Sequence, residues 1–274
     1  VWGSVDRVPN AKGWRTKGTV TTVYATPPVG DGSLESTSTT YATARTGAGQ
    51  SGSGNHGVGQ GFSTPDYSCF EAFLIFDTSG LPDGDDVTVA TLSMDGVVNS
   101  STTDFTAIAA TSTYDGGAVV AGDRVAGADL AALTTLASWA SSGYLDGYNA
   151  FTSVAAFLAA INKTGNTSII LYSDRHRDAT TPTGTERVTF TDADAAGTTT
   201  DPKLDITHAA GDTVVTPPTL ALVITTYAPS IVIGTVVTPP TLALVLTTYA
   251  PNVTQDTLVT PSTAALVLTT YAPT

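Results

Sequence analysis

The sequence predicts an all-β protein: an antiparallel β-sandwich with one or two short helices, followed by three 22-residue β repeats. Three observations lead there. Short apolar runs recur between Gly, Asp, Ser and Pro turn signals over residues 18–208. A 22-residue segment returns at the C-terminal end. Only 13% of the 274 residues are charged, about half the usual share, while 41% are hydrophobic. A core can therefore form, with Thr, Ser, Gly and Ala in the places that charges normally take.

Residues 1–18 read as a basic arm, where Arg7, Lys12, Arg15 and Lys17 against Asp6 give a charge of +3. Trp2 and Trp14 in this arm are costly to leave exposed, so Trp2, Arg7, Trp14 and Arg15 are expected to dock on an acidic neighbour. The alternative is a solvated terminal segment. Val1 in place of Met is expected of a processed or trimmed terminus.

Residues 19–212 form the expected body. Strands are predicted over 18–24, 68–76, 86–94, 104–109, 167–172, 187–191 and 203–207. Two stretches read as helices. One spans 127–140, with Asp129 in its first turn. The other spans 153–162, with Ser153 or Thr152 as cap and Val154, Phe157, Leu158 and Ile161 on one face. Seven glycines between Gly47 and Gly61 match the spacing of a dinucleotide fingerprint, but the flanking strand and helix it needs are missing. A long exposed loop, or a segment ordered by a neighbouring subunit, is expected there.

Residues 213–274 form the repeat tail. Its period of 22 is fixed by Pro217, Pro239 and Pro261 and by Tyr227, Tyr249 and Tyr271. Each copy holds a β-type run bounded by prolines, such as 242–249. The 62 residues carry one charge, Asp256, and 17 Thr. One such strand cannot bury its own apolar side. Leu222, Tyr227, Leu244, Tyr249, Leu266 and Tyr271 are therefore expected to meet other strands, within the chain or in other copies of it. A flexible Thr/Pro linker is the alternative.

Candidate chemistry is sparse. The net charge of −13 and the uncharged tail argue against a nucleic-acid partner. No apolar run of about 18 residues predicts a membrane-spanning helix. The single Cys69 sits in an apolar run and reads as a buried small hydrophobe. His56, His176 and His208 lack metal-ligand spacing. Asp83, Asp85 and Asp86 share a turn and are weak candidates for calcium, the one cofactor considered; Asp192 and Asp194 are similar. Glu35, Glu71 and Glu186 are the only glutamates, with no local hydrolase signature. There is no Gly-x-Ser-x-Gly elbow, and no enzymatic activity is expected. Trp139, Tyr144 and Tyr148 form a possible glycan platform.

The stretch Phe70-Glu-Ala-Phe-Leu-Ile-Phe-Asp-Thr-Ser-Gly-Leu-Pro-Asp-Gly84 resembles the F-L-x-F-D-x-S-x-L-P-x-G segment of jelly-roll β-sandwich domains. These occur in bacterial surface proteins, carbohydrate-binding modules and many bacteriophage virion proteins. Val87-Thr-Val-Ala-Thr-Leu-Ser-Met94 and Asp201-Pro-Lys-Leu-Asp-Ile206 follow in the same order. The resemblance covers about residues 18–208, and the tail looks similar to Thr/Pro-rich repeats of phage-encoded surface proteins. It implies a jelly-roll body in a structural protein of a virion surface, as a capsid-decoration or tail-fibre-like component. Its partners would be copies of itself and other virion or surface-assembly proteins. A carbohydrate-binding or adhesion module that takes host-surface glycans, or an extracellular filament subunit, is the alternative. Each of these places the protein on a virion surface or outside a cell.

Overall fold

The computed structural model describes residues 18–25, 31–52, 54–193 and 197–210, and the backbone of 7–10 and 13–16. The expected tail, with Leu222, Tyr227, Leu244, Tyr249, Leu266 and Tyr271, lies outside the described residues, as do Trp2 and Asp194.

Every ladder in the body is antiparallel, as expected. The strands are β1 (Arg7–Asn10), β2 (Gly13–Thr16), β3 (Thr19–Tyr24), β4 (Asp31–Ser38), β5 (Gln50–Gly52), β6 (His56–Ser63), β7 (Asp66–Asp77) and β8 (Asp85–Asn99). They continue with β9 (Thr106–Thr111), β10 (Thr135–Ala140), β11 (Tyr148–Ala150), β12 (Thr152–Ser153), β13 (Asn166–Ser173), β14 (Thr185–Phe190) and β15 (Lys203–Ala210). Three short helices join them: α1 (Tyr41–Thr46), α2 (Ala155–Ala160) and α3 (Asp174–Arg177). All seven strands predicted for the body are present, with ends shifted by a few residues. Within the expected N-terminal arm, β1 and β2 pair as a hairpin, with Val8 opposite Arg15 and Pro9 opposite Trp14.

The body strands form one 13-stranded sheet in the order β12-β10-β9-β13-β7-β6-β14-β8-β15-β3, with β4 on β7, β5 on β4 and β11 on β8, and its β12–β7 and β14–β3 halves lie face to face as two layers. Their inner faces share one core. Ala72, Leu74 and Phe76 of β7 meet Ala90, Leu92 and Met94 of β8 and Leu204 and Ile206 of β15, all buried. This is a β-sandwich, held by apolar side chains at alternate strand positions. The opposite face of β7 is covered too. Phe73 and Ile75 pack with Ile170, Tyr172 and the crossing segment that supplies Tyr114 and Leu130. Burial on both faces explains why β7 reads as an unbroken apolar run rather than an alternating one. Helix α2 closes one end of the core with Phe157 and Ile161.

Two helix expectations need correction. Residues 127–140 are not a helix: a single 3-10 turn spans Leu130–Ala132, and Thr135–Ala140 is strand β10, paired with β9. The Ala- and Leu-rich composition favours a helix, but the neighbouring β9 edge and the burial of Leu136 and Ala137 decide otherwise. The second helix is shorter than expected, Ala155–Ala160. Thr152 and Ser153 pair with β10 instead of capping it, and its cap position is Val154, without a side-chain cap bond.

The glycine-rich stretch is a larger correction. It is neither a long exposed loop nor a cofactor loop. Residues 50–52 form β5, and His56–Gln60 of β6 is buried. β6 pairs with β7 through Gly59–Ser63 and with β14 through His56–Gly61, so it carries the hydrogen-bonded path from one layer to the other. The bend falls at Gly59, whose φ is +134°. A Cβ there would lie 2.1 Å from the Glu186 carbonyl oxygen. Only glycine fits such a corner, where a strand switches layers. Gly59→Ala is expected to destabilise the fold by about 3 kcal/mol or more. Gly80→Ala, whose Cβ would meet nothing within 4 Å, is the near-neutral control. Chemical denaturation of both variants checks this.

Candidate functional site

Both buried glutamates of the body lie at this junction of β6, β7 and β14. The register sets Cys69 of β7 opposite Gln60 of β6, and Gln60 opposite Glu186 of β14. Glu71 lies two residues along β7. Gln60, Cys69, Glu71 and Glu186 are all buried. Helix α1 covers them with Tyr41 and Arg45, α3 with Arg175 and His176, and the crossing segment adds Arg124.

Hydrogen bonds join these groups into two arms. In the first, the Tyr41 hydroxyl donates to Gln60 Oε1 at 2.5 Å. Gln60 Nε2 donates to the Thr180 carbonyl at 2.7 Å and to Glu186 Oε2 at 2.6 Å. Arg175 Nε donates to the same Glu186 oxygen at 2.7 Å. In the second arm, Arg124 donates to the carbonyls of Ala44, Arg45 and Gly47, the last at 2.8 Å, and so caps the C-terminal end of α1. Its Nη2 lies 3.6 Å from Glu71 Oε1, and Glu71 Oε2 accepts from Val125 N at 3.0 Å. Arg45 takes the carbonyls of His176 and Arg177 at 2.9 and 3.0 Å, which ties α3 to α1.

The electrostatics follow from burial. Desolvation pushes the Glu71 carboxyl up to about 7, against the pull of Arg124 and the Val125 N–H. Burial, with the Arg124 and Arg45 guanidinium groups, drives His176 down to about 3. His176 Nδ1 sits 4.0 Å from Glu71 Oε1 as a neutral imidazole. The Cys69 thiol is pushed up to about 12 by burial, which keeps it protonated and inert, as expected of a small core side chain. The cluster is an internal clamp: its acids and bases bind one another and main-chain carbonyls.

The other two histidines are used the same way. His56 Nε2 and Ala193 N both meet Asp31 Oδ2 at 2.7 Å. His208 Nδ1 meets Asp85 Oδ2 at 2.7 Å, and its Nε2 meets Thr21 Oγ1 at 2.9 Å, joining β15 to β8 and β3. Among the described residues, no three His, Cys, Asp or Glu side chains converge to hold a metal. Asp83, Asp85 and Asp86, the weak calcium candidates, belong to no such group. Lys163 Nζ donates to the main-chain carbonyls of Asp83 and Asp85, at 2.5 and 2.6 Å, so an ammonium group occupies the turn. The Asp85 carboxylate belongs to His208, and Asp86 does not join it in a ligand set.

Trp139 packs on Phe151 and Phe190, with ring centroids 6.0 and 5.6 Å away, and Tyr144 packs against the same core. Tyr148 donates to the Asp201 carbonyl at 2.8 Å and holds Lys203 Nζ 4.5 Å from its ring centroid. The three rings of the glycan reading are thus engaged by the protein's own residues. Arg7, Trp14 and Arg15 lie in the β1–β2 hairpin.

Sequence reasoning missed Tyr41, Arg45, Gln60, Arg124 and Arg175 as one cluster. The usable signal was Glu71, a charge inside an apolar run in a chain with very few charges; buried charges require partners.

Glu71 and His176 oppose each other in pH dependence. Glu71 holds a proton in the folded chain above its ordinary value of 4.5, so stability falls as pH rises from 4.5 to about 7. His176 refuses one below its ordinary value of 6.5, so stability falls as pH drops from 6.5 toward 3. The two effects oppose and offset each other between pH 4.5 and 6.5. Glu71→Gln is expected to lose stability on acidification from pH 7 to 4.5, and His176→Gln to gain it. Denaturation midpoints across that range read the two slopes.

No family model matches the chain, and neither does any curated protein.

Proposed function

We propose that this protein is a non-enzymatic structural component of a virus-particle surface, a capsid-decoration or tail-fibre-like subunit, and that it works by assembly. The observation that carries this reading is the run of three similar 22-residue repeats, with a single charge at Asp256, that follows the closing strand β15. Each repeat offers an apolar strand face with too little chain to bury it alone. Copies of the protein, or other surface-assembly proteins, supply the missing cover, with Leu222, Leu244 and Leu266 at the contact. The body supports the reading from the other side. Its buried acids and bases clamp the fold, which suits a rigid building block better than a catalyst. Residues 19–212 carry 7 basic and 22 acidic side chains, a balance that suits docking of the +3 N-terminal segment of a neighbouring copy.

Deleting 213–274 tests the proposal. The full chain is expected to form oligomers or particles, visible by electron microscopy and sedimentation, and the truncated chain to remain dispersed. If the truncated chain keeps the native assembly, the tail is not the assembly element.

A further inference from the structure

The free strand edges among the described residues are unequal. β12 has 2 residues, β5 and β11 have 3 each, and β1 and β2 pair only with each other over 4. Very short edge strands offer little to pair with. The long sheet path ends in β3, six residues that pair with β15 on one side only. β3 reads Thr19-Val-Thr-Thr-Val-Tyr24, without a charge, a proline or a glycine. None of the usual devices that discourage strand addition is present. The outer face beside this edge is apolar and open: Val20 is 63% exposed and Val89 48%, on either side of Thr207.

We infer that the β3 edge is the acceptor for a repeat strand from the tail of a second copy of this chain, added antiparallel by β-augmentation. This rests on the assembly reading above. The lengths agree: β3 has 6 residues, and the apolar run of a repeat, 242–249, has 8. Both partners are uncharged, so pairing buries no ion. His208 pairs with Thr19, so β15 ends at Ala210 beside the start of β3. A strand that continued directly from Ala210 onto the far side of β3 would cross the segment entering at Gly18 and lie parallel to β3, a rare connection. A strand supplied by a second copy has neither constraint.

Full-length chains carrying Thr22→Cys are mixed with chains carrying Leu244→Cys, Val245→Cys or Leu246→Cys in turn, then oxidised. A disulfide between the two kinds of chain is expected for at least one pairing. Separately, Val20→Lys, at an exposed position, is expected to weaken self-association at least tenfold by sedimentation while the thermal melt of the body is unchanged. The inference is overturned if a chain carrying both cysteines crosslinks within itself while mixed singly substituted chains never crosslink at concentrations where the wild type assembles. It is also overturned if no pairing crosslinks and Val20→Lys assembles like the wild type while wild-type assembly still requires 213–274. That last result removes β3 and leaves the assembly reading standing; a wild-type chain that is monomeric at every concentration removes both.

Discussion

The fold depends on one backbone constraint, the turn of β6 through Gly59. This strand pairs with β14 over His56–Gly61 and with β7 over Gly59–Ser63, so that only Gly59–Gly61 is flanked by both. The two faces of the sandwich are consequently one hydrogen-bonded path, bent where a side chain cannot fit. The corner costs something in return. It brings Gln60 and Glu186 into the interior, where polar groups are tolerated only with partners. The short helices α1 and α3 and the isolated Arg124 are best understood as the answer to that requirement.

Charge is scarce in this chain, and much of it is committed to the inside. Of 11 basic residues, Arg45, Arg124 and Arg175 are tied into the corner cluster, and Lys163 holds the Asp83–Asp85 turn. A buried pair contributes little net stability, but losing one partner is expensive, about 3–5 kcal/mol. Such ties therefore act as specificity devices. They accept one arrangement of α1, α3 and the crossing segment over the β7 face and penalise the others. The outer face of β3, β15 and β8 carries Val20, Thr22, Val89, Thr91 and Thr207, with Tyr24 and the Lys203–Asp205 pair beside them.

Much of the sandwich was legible because alternation and turn signals are local. β7, β8, β13 and β15 each carry enough apolar side chains to declare themselves. β4 did not, since Leu34 is the only large apolar residue in Asp31–Ser38, and its place is set by pairing with β7 rather than by its own pattern. β6 was hidden for the opposite reason. Its glycines look like a loop in sequence, yet Gly59 is demanded by a close approach that only the folded sheets create. The stretch 127–140 was misread because composition favours a helix where an unpaired β9 edge awaited a strand. The corner cluster was legible only through Glu71, since its members come from segments 41–45, 60–71, 124 and 175–186, which no local window joins.

Under the assembly proposal, the unequal protection of the sheet ends would join the body of one copy to the tail of another. A β-sandwich that functions as a monomer gains nothing from a six-residue edge of Thr, Val and Tyr, because such an edge templates association. Among the described residues β12 and β5 are short, whereas β3 is a six-residue edge paired on one side only. The sequence also carries repeated apolar runs without charge, of matching length. Edge and repeat have the same composition, so neither could recruit the other by charge; selectivity must come from register and from the number of hydrogen bonds formed. Near-identity of the repeats then acquires a physical meaning. Any copy can occupy the same edge in the same register, so that a single acceptor geometry serves every repeat.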